Sequence, residues 1–190
     1  MNFRKINVTL KGNTPLLMNK CTPEHLVKRQ TLGKKRYTPE EDAAKSAYLA
    51  EIDGRMQLYV PALNVYTMMV QTCGRKTIPN PDGGKDVNAR GVIAGAMRIK
   101  PDLISLGTDQ YEIDIRPAVV QRARIPRARA MIKDWRLSFD IIYDSEVVLE
   151  PNVFRKIREE AGFRVGLLDY RPQHMGPFGT FSVENFEVIV

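Results

Sequence analysis

Apolar and polar residues alternate from Phe3 to Lys11, with Ile6, Val8 and Leu10 on one face and Lys5, Asn7 and Thr9 on the other. A period of two predicts a half-buried strand, and Gly12-Asn13 ends it. The period returns at Met56, Leu58 and Val60, at Tyr111, Ile113 and Ile115, and at Trp135, Leu137, Phe139 and Ile141. Val119-Val120 extends the second of these beyond Pro117, and Trp135 opens an apolar face that belongs in the core. Phe181, Val183, Phe186, Val188 and Val190 form a last strand, whose broken alternation predicts an irregularity near Glu184-Asn185.

Helical spacing fills several of the intervals. Leu63, Tyr66, Met69 or Val70, and Cys73 fall on one side of a helix that starts after Pro61 and stops at Gly74. Thr38 can cap a helix with Pro39 in its first turn and Glu41 closing a capping box, and that helix is expected from about Pro39 to Ile52. Thr22-Pro23-Glu24-His25 carries a similar start signal. Pro151 to Ala161 predicts another helix, with Gly162 beyond its end. Residues 78–86 form a loop rich in proline and glycine, and 89–97 fits helix or strand.

This order predicts the α+β class: an antiparallel sheet with helices on one face. A ferredoxin-like (RRM-like) core, strand-helix-strand twice over, can be traced through it. The expectation is one domain over 1–190, with insertions at about 19–38 and 76–110 and a basic hairpin or arm at about 116–136.

Charge sharpens that outline. The chain has 29 Lys and Arg against 22 Asp and Glu, a formal net charge of +7, which attracts polyanions. Arg116, Arg122, Arg124, Arg127, Arg129, Lys133 and Arg136 stand in one segment with a single acid, Asp134. Such a segment is either a solvated arm or a phosphate-binding ribbon, and forked guanidinium contacts favour the second. Lys28, Arg29, Lys34, Lys35 and Arg36 make a second basic run. Tyr37, Tyr111, Trp135, Tyr170 and Phe178 are the aromatic residues near enough in sequence to stack on bases.

Other chemistry is sparse. Cys21, Cys73, His25 and His174 lack the spacing of a metal knuckle, so no metal and no cofactor is expected. Nucleophile-elbow, Walker, dinucleotide and zincin motifs are all missing from the sequence. His25 as general base with His174 as acid would describe a metal-independent endoribonuclease, the enzymatic alternative. A third reading is a structural, virion-type assembly protein. No apolar run reaches membrane-spanning length and the start does not read as a signal peptide, so the expected location is cytoplasmic, with no membrane partner.

The segment Gly166-Leu167-Leu168-Asp169-Tyr170-Arg171-Pro172-Gln173-His174-Met175-Gly176-Pro177-Phe178-Gly179-Thr180-Phe181 joins the last helix to the last strand. Arg171, His174, Gly176 and Gly179 are its candidate ligand contacts. The turn resembles the glycine-rich loop of the RAMP superfamily, the ferredoxin-like RNA-binding proteins that include CRISPR effector backbone subunits. Thr14-Pro15-Leu16-Leu17 after the first strand resembles the Thr-Pro-Leu turn common there. Val60-Pro61-Ala62-Leu63, leading into a helix that ends at Gly74-Arg75, resembles the segment that opens a core helix in that group. In this chain Gly166-Leu167-Leu168 stands where the group usually has Gly-x-Gly, and its length suits a short or phage-encoded relative. The resemblance implies binding of single-stranded RNA or DNA along a homo-oligomer or filament of like subunits, an arm of one reaching over the next. On this reading the site is non-catalytic.

Overall fold

The computed structural model describes residues 2–20, 38–74, 76–120 and 123–189, and at 118–120 and 123–125 the backbone alone. In chain order the strands are β1 (Phe3–Gly12), β2 (Leu16–Leu17), β3 (Leu49–Ile52), β4 (Arg55–Pro61), β5 (Thr77–Ile78), β6 (Val87–Asn88), β7 (Met97–Lys100), β8 (Leu103–Ser105), β9 (Glu112–Val120), β10 (Ala123–Ile132), β11 (Arg136–Asp144) and β12 (Phe181–Ile189). The helices are α1 (Pro39–Ser46), α2 (Ala62–Cys73), α3 (Ala89–Ala96) and α4 (Asn152–Arg164).

The main sheet has the order β12-β1-β11-β7, antiparallel throughout. β1 crosses to β7 through α2, and β11 crosses to β12 through α4, which is the ferredoxin-like arrangement. Ile6, Val8 and Leu10 of β1 and Leu137, Phe139 and Ile141 of β11 are at most 2% exposed. They pack with Val65, Met68 and Met69 of α2 and Phe154, Ile157 and Ala161 of α4 in one core. The period of two thus turns one face of the sheet to the helices. On the other face Asn7 donates to Asp140 at 3.1 Å, Thr9 and Ser138 share a hydrogen bond at 3.0 Å, and Lys5 pairs with Asp140 at 2.8 Å. Between Lys5 and Lys11 no aromatic residue stands on that face, so this part of the sheet is no stacking platform.

Three local outcomes differ from or sharpen the sequence pattern. The capping box forms as expected, Thr38 Oγ1 accepting from Glu41 N and Glu41 Oε2 from Thr38 N, each at 3.2 Å. The helix ends at Ser46, however, and Leu49–Ile52 is a strand, because a two-residue turn at Asp53-Gly54 (φ +52 and +74) returns it onto β4 in a hairpin. Gly162 lies inside α4 rather than beyond it, since a Cβ there would meet Phe181 O at 2.1 Å and hold the helix off β12. The ambiguous stretch 89–97 is α3 followed by the first residue of β7, so residues 76–110 supply a strand of the core sheet as well as added elements.

The expected irregularity in the last strand is a bulge: Thr9 faces Asn185 while Leu10 faces Val183, leaving Glu184 as the extra residue. Trp135 is core, 3% exposed, its Nε1 donating to Thr14 O at 2.9 Å. Among the described residues no helix is long and apolar enough to cross a membrane.

Candidate nucleic-acid interface

β9 and β10 form the expected hairpin, with Pro117 directly opposite Pro126. On β10, Ala128 N donates to Asp42 Oδ2 at 3.0 Å, Ala130 N donates to Ser46 Oγ at 2.8 Å, and Ala130 O accepts from Met18 N at 2.9 Å. Backbone groups at these alternate positions therefore point away from β9. Pro126 shares their parity, so it sacrifices no bond of the ladder and the strand runs through it. Helix α1 and β2 cover the edge that this parity exposes.

Each fully described cation of the arm meets a carboxylate. Arg116 pairs with Asp114 at 2.8 Å, Arg127 with Asp42 at 3.3 Å, Arg129 with Asp169 at 3.0 Å, and Lys133 with Glu112 at 2.8 Å. Arg136 grips Glu184 with two bonds of 2.9 and 3.0 Å, which raises its pKa further. Asp42, Asp169 and Glu184 come from distant parts of the chain, which is why the arm reads as almost free of acids in sequence. Four of the five cations remain 44% to 63% exposed, where such pairs contribute only about 0–1 kcal/mol. Arg129 differs: its side chain is 17% exposed, and Asp169 Oδ2 beside it is buried without hydrogen-bond alignment.

The glycine turn is bent by five residues of positive φ: Gly166, Leu168, Tyr170, Met175 and Gly179. Three are not glycine, and each costs about 1–2 kcal/mol that surrounding bonds must offset. Those bonds are present, among them Leu167 N to Gly179 O at 2.9 Å, Asp169 N to Leu17 O at 3.0 Å and Gly176 N to Arg171 O at 3.0 Å. A Cβ on Gly176 would lie 1.8 Å from Tyr170 O, and one on Gly179 would lie 2.1 Å from Leu167 O. The close approach these glycines permit is to the turn's own backbone.

The segments that carried the resemblance meet at this turn. Gly179 N donates to Pro15 O at 2.9 Å, and Thr14 and Thr180 share a hydroxyl hydrogen bond at 2.8 Å. Leu63, from the segment opening α2, lines a cavity of about 300 Å³ together with Asn19, Asn64, Thr67, Asp169 and Arg171. Arg171 is fixed by its Nη1 bond to Leu168 O at 2.7 Å and by Nε and Nη2 bonds to Gln173 Oε1 at 3.2 and 2.9 Å. Burial lowers its pKa, opposed by Asp169. The arm reaches the same place: the Arg116 guanidinium sits 4.7 Å over the Phe178 ring, which packs against Tyr170, and Arg129 holds Asp169.

The fold has a counterpart among solved structures. A chain of the type III-B Cmr-beta complex, solved by cryo-EM bound to cognate target RNA, matches with a TM-score of 0.55 at 13% identity. The match covers 98% of this chain and 61% of that one, so this chain spans less than two thirds of its neighbour's length. The likeness is one of fold, and it extends over nearly every residue of the present chain. No protein-family model and no curated protein matches the sequence.

Of the residues singled out in sequence, Arg116, Arg129 and Arg171 come together around the turn, with Arg127 further along β10. His174 is exposed in the short 3-10 turn Pro172–His174, and Met175 beside it is 94% exposed. Lys28, Arg29, Lys34, Lys35, Arg36, His25, Cys21 and Arg122 lie outside the described residues, as does the Arg124 side chain. Sequence reasoning missed Asn19, Asn64 and Thr67, single polar residues in apolar or loop surroundings, which no local pattern distinguishes. It also missed Asp42, whose role depends on a partner 85 positions away.

Proposed function

We propose that this chain is a non-catalytic subunit that binds single-stranded nucleic acid, RNA in preference to DNA, and assembles head to tail on it. One observation carries the reading: the basic arm and the glycine turn share a surface, joined by Arg129 with Asp169 and by Arg116 over Phe178. Exposed guanidiniums held only by weak ion pairs can exchange a carboxylate for a phosphate, and forked geometry suits both. Arg116, Arg122, Arg124, Arg127, Arg129 and Lys133 of the arm and the run Lys28 to Arg36 then follow the backbone, with Arg171, His174, Gly176 and Gly179 at its turn. The RNA held by the complex of the solved neighbour supports RNA as the ligand. Assembly through the arm would place like subunits in a row, and the two end strands of the sheet, β12 and β7, leave room for such contacts.

Fluorescence anisotropy with labelled oligo-U and oligo-dT over a range of salt tests this. Affinity should fall with salt, and alanine at Arg122, Arg124, Arg127 and Arg129 should flatten the slope by up to about 0.7 for each phosphate that is no longer neutralised. Absence of binding at low salt overturns the proposal, and cleavage of the RNA overturns its non-catalytic part.

A further inference from the structure

The cavity beside the glycine turn has a chemistry that phosphate binding does not explain. It holds a carboxylate, Asp169, which repels phosphate, and a guanidinium, Arg171, whose orientation is fixed by Leu168 O and Gln173. Among the described residues each terminal nitrogen of Arg171 makes one hydrogen bond and has one hydrogen left over. Asn19, Asn64 and Thr67 line the same space, and among the described residues none of the three makes a hydrogen bond through its side chain. Leu63 and Leu168 supply apolar wall. A small concave site with apolar walls and a few uncommitted donors and acceptors is built for a neutral, flat, polar ligand.

We infer that this cavity receives a single unstacked nucleobase, with guanine as the base it selects. The inference rests on the nucleic-acid-binding reading and adds sequence selectivity to it. Guanine alone among the four bases presents two adjacent donors, N1–H and the N2 amino group, and Asp169 can accept from them through Oδ1, since Oδ2 is buried against Arg129. Its O6 and N7 are acceptors that suit the remaining Arg171 hydrogens. Asn64 and Thr67, one helical turn apart on α2, complete the edge contacts. The site lies where Arg129 ties the arm to Asp169, so a strand running along the arm would pass its mouth.

The test uses the full chain and four short labelled oligo-U strands that carry, at the centre, G, A, C or U. The G strand should bind about tenfold tighter than the U strand. Asn64→Ala combined with Thr67→Ala should reduce that preference, because both residues line the pocket, while the salt dependence of binding, set by the arm, is retained. Asp169→Asn should remove the preference, while also releasing Arg129. Equal binding of all four strands, or tighter binding of A or C, overturns the base pocket and leaves backbone binding standing. Failure of every strand to bind overturns both.

Discussion

Asp42 gives the most direct measure of how the arm is held. Its carboxylate pairs with Arg127 at 3.3 Å and accepts the Ala128 N–H at 3.0 Å, and the side chain is only 15% exposed. It also places negative charge in the first turn of α1, worth about 0.5 kcal/mol. An exposed ion pair adds about 0–1 kcal/mol, and a charge-assisted bond to a backbone N–H about 1.5–3 kcal/mol. Asp42→Ala loses all three and leaves a donor on the covered edge of β10, so unfolding free energy should fall by about 3 kcal/mol. Asp42→Asn keeps an acceptor for Ala128 and should lose only about 1 kcal/mol. Urea unfolding followed by circular dichroism separates the two if the slopes match. The same asparagine frees Arg127 and raises the net charge by one, so binding to oligo-U should tighten by up to about fivefold. Equal destabilisation by Ala and Asn refutes the account of the edge, and unchanged or weaker binding by Asp42→Asn refutes the exchange of acid for phosphate at Arg127.

Gly179→Ala (φ +68) and Gly176→Ala should each cost more than about 2 kcal/mol in urea unfolding, because the added Cβ meets backbone oxygen at 2.1 and 1.8 Å. Gly91→Ala on α3 is the control: its Cβ enters open space, so it should stabilise by about 0.5–1 kcal/mol, and wild-type stability in the turn variants would sink the self-packed loop. Arg158 of α4 is 0% exposed, its three guanidinium nitrogens have no hydrogen-bond partner among the described residues, and it sits 4.5 Å over the Phe186 ring. Burial pushes its pKa well below the ordinary guanidinium value, to about 9, so the unfolded chain holds this proton more firmly and the residue's contribution to stability improves as pH climbs through about 9. Arg158→Met should therefore raise unfolding free energy at neutral pH by about 1–4 kcal/mol, with the gain shrinking in alkali. Cys73 works in the opposite direction: burial raises its pKa from 9.0 to about 11, so its contribution is intact below 9.0 and lost as pH rises through about 11. It is common to both proteins and cancels in the difference, and a less stable Arg158→Met would refute the penalty.

What the sequence discloses depends on the range of the interaction. Alternation along Ile6, Val8 and Leu10 and along Leu137, Phe139 and Ile141 identifies two core strands, because a strand's buried face is written in its own residues, whereas their pairing with each other is seen only in the structure. The Thr38 capping box is equally local. Leu49–Ile52 reads as part of the preceding helix, yet its strand state comes from pairing with β4 across Asp53-Gly54, which outweighs local preference. Gly162 has the look of a stop signal, although its reason is Phe181 packed against it from the next element. The glycine turn is legible as a special segment from composition alone. That its glycines serve internal packing requires the positions of the Tyr170 and Leu167 carbonyls.

The same distinction governs how charge translates into binding. Read along the chain, the arm is a row of cations with one acid; in three dimensions Arg116, Arg127, Arg129, Lys133 and Arg136 each face a carboxylate. If a phosphate displaces such a carboxylate, the freed acid gathers a cation from solution while the phosphate releases one, and the two terms oppose each other in the salt dependence. Paired arginines would therefore position a strand and confer forked geometry at a smaller electrostatic gain than their number implies. A steep salt slope would have to arise from cations without such partners. The segment Lys28 to Arg36 holds five cations, and with Glu24 the only acid in residues 21–37 it accounts for more than half of the net +7. On the proposed nucleic-acid reading, net charge would supply long-range attraction and the arm, held in place by its own acids, would fix where a strand lies beside the turn.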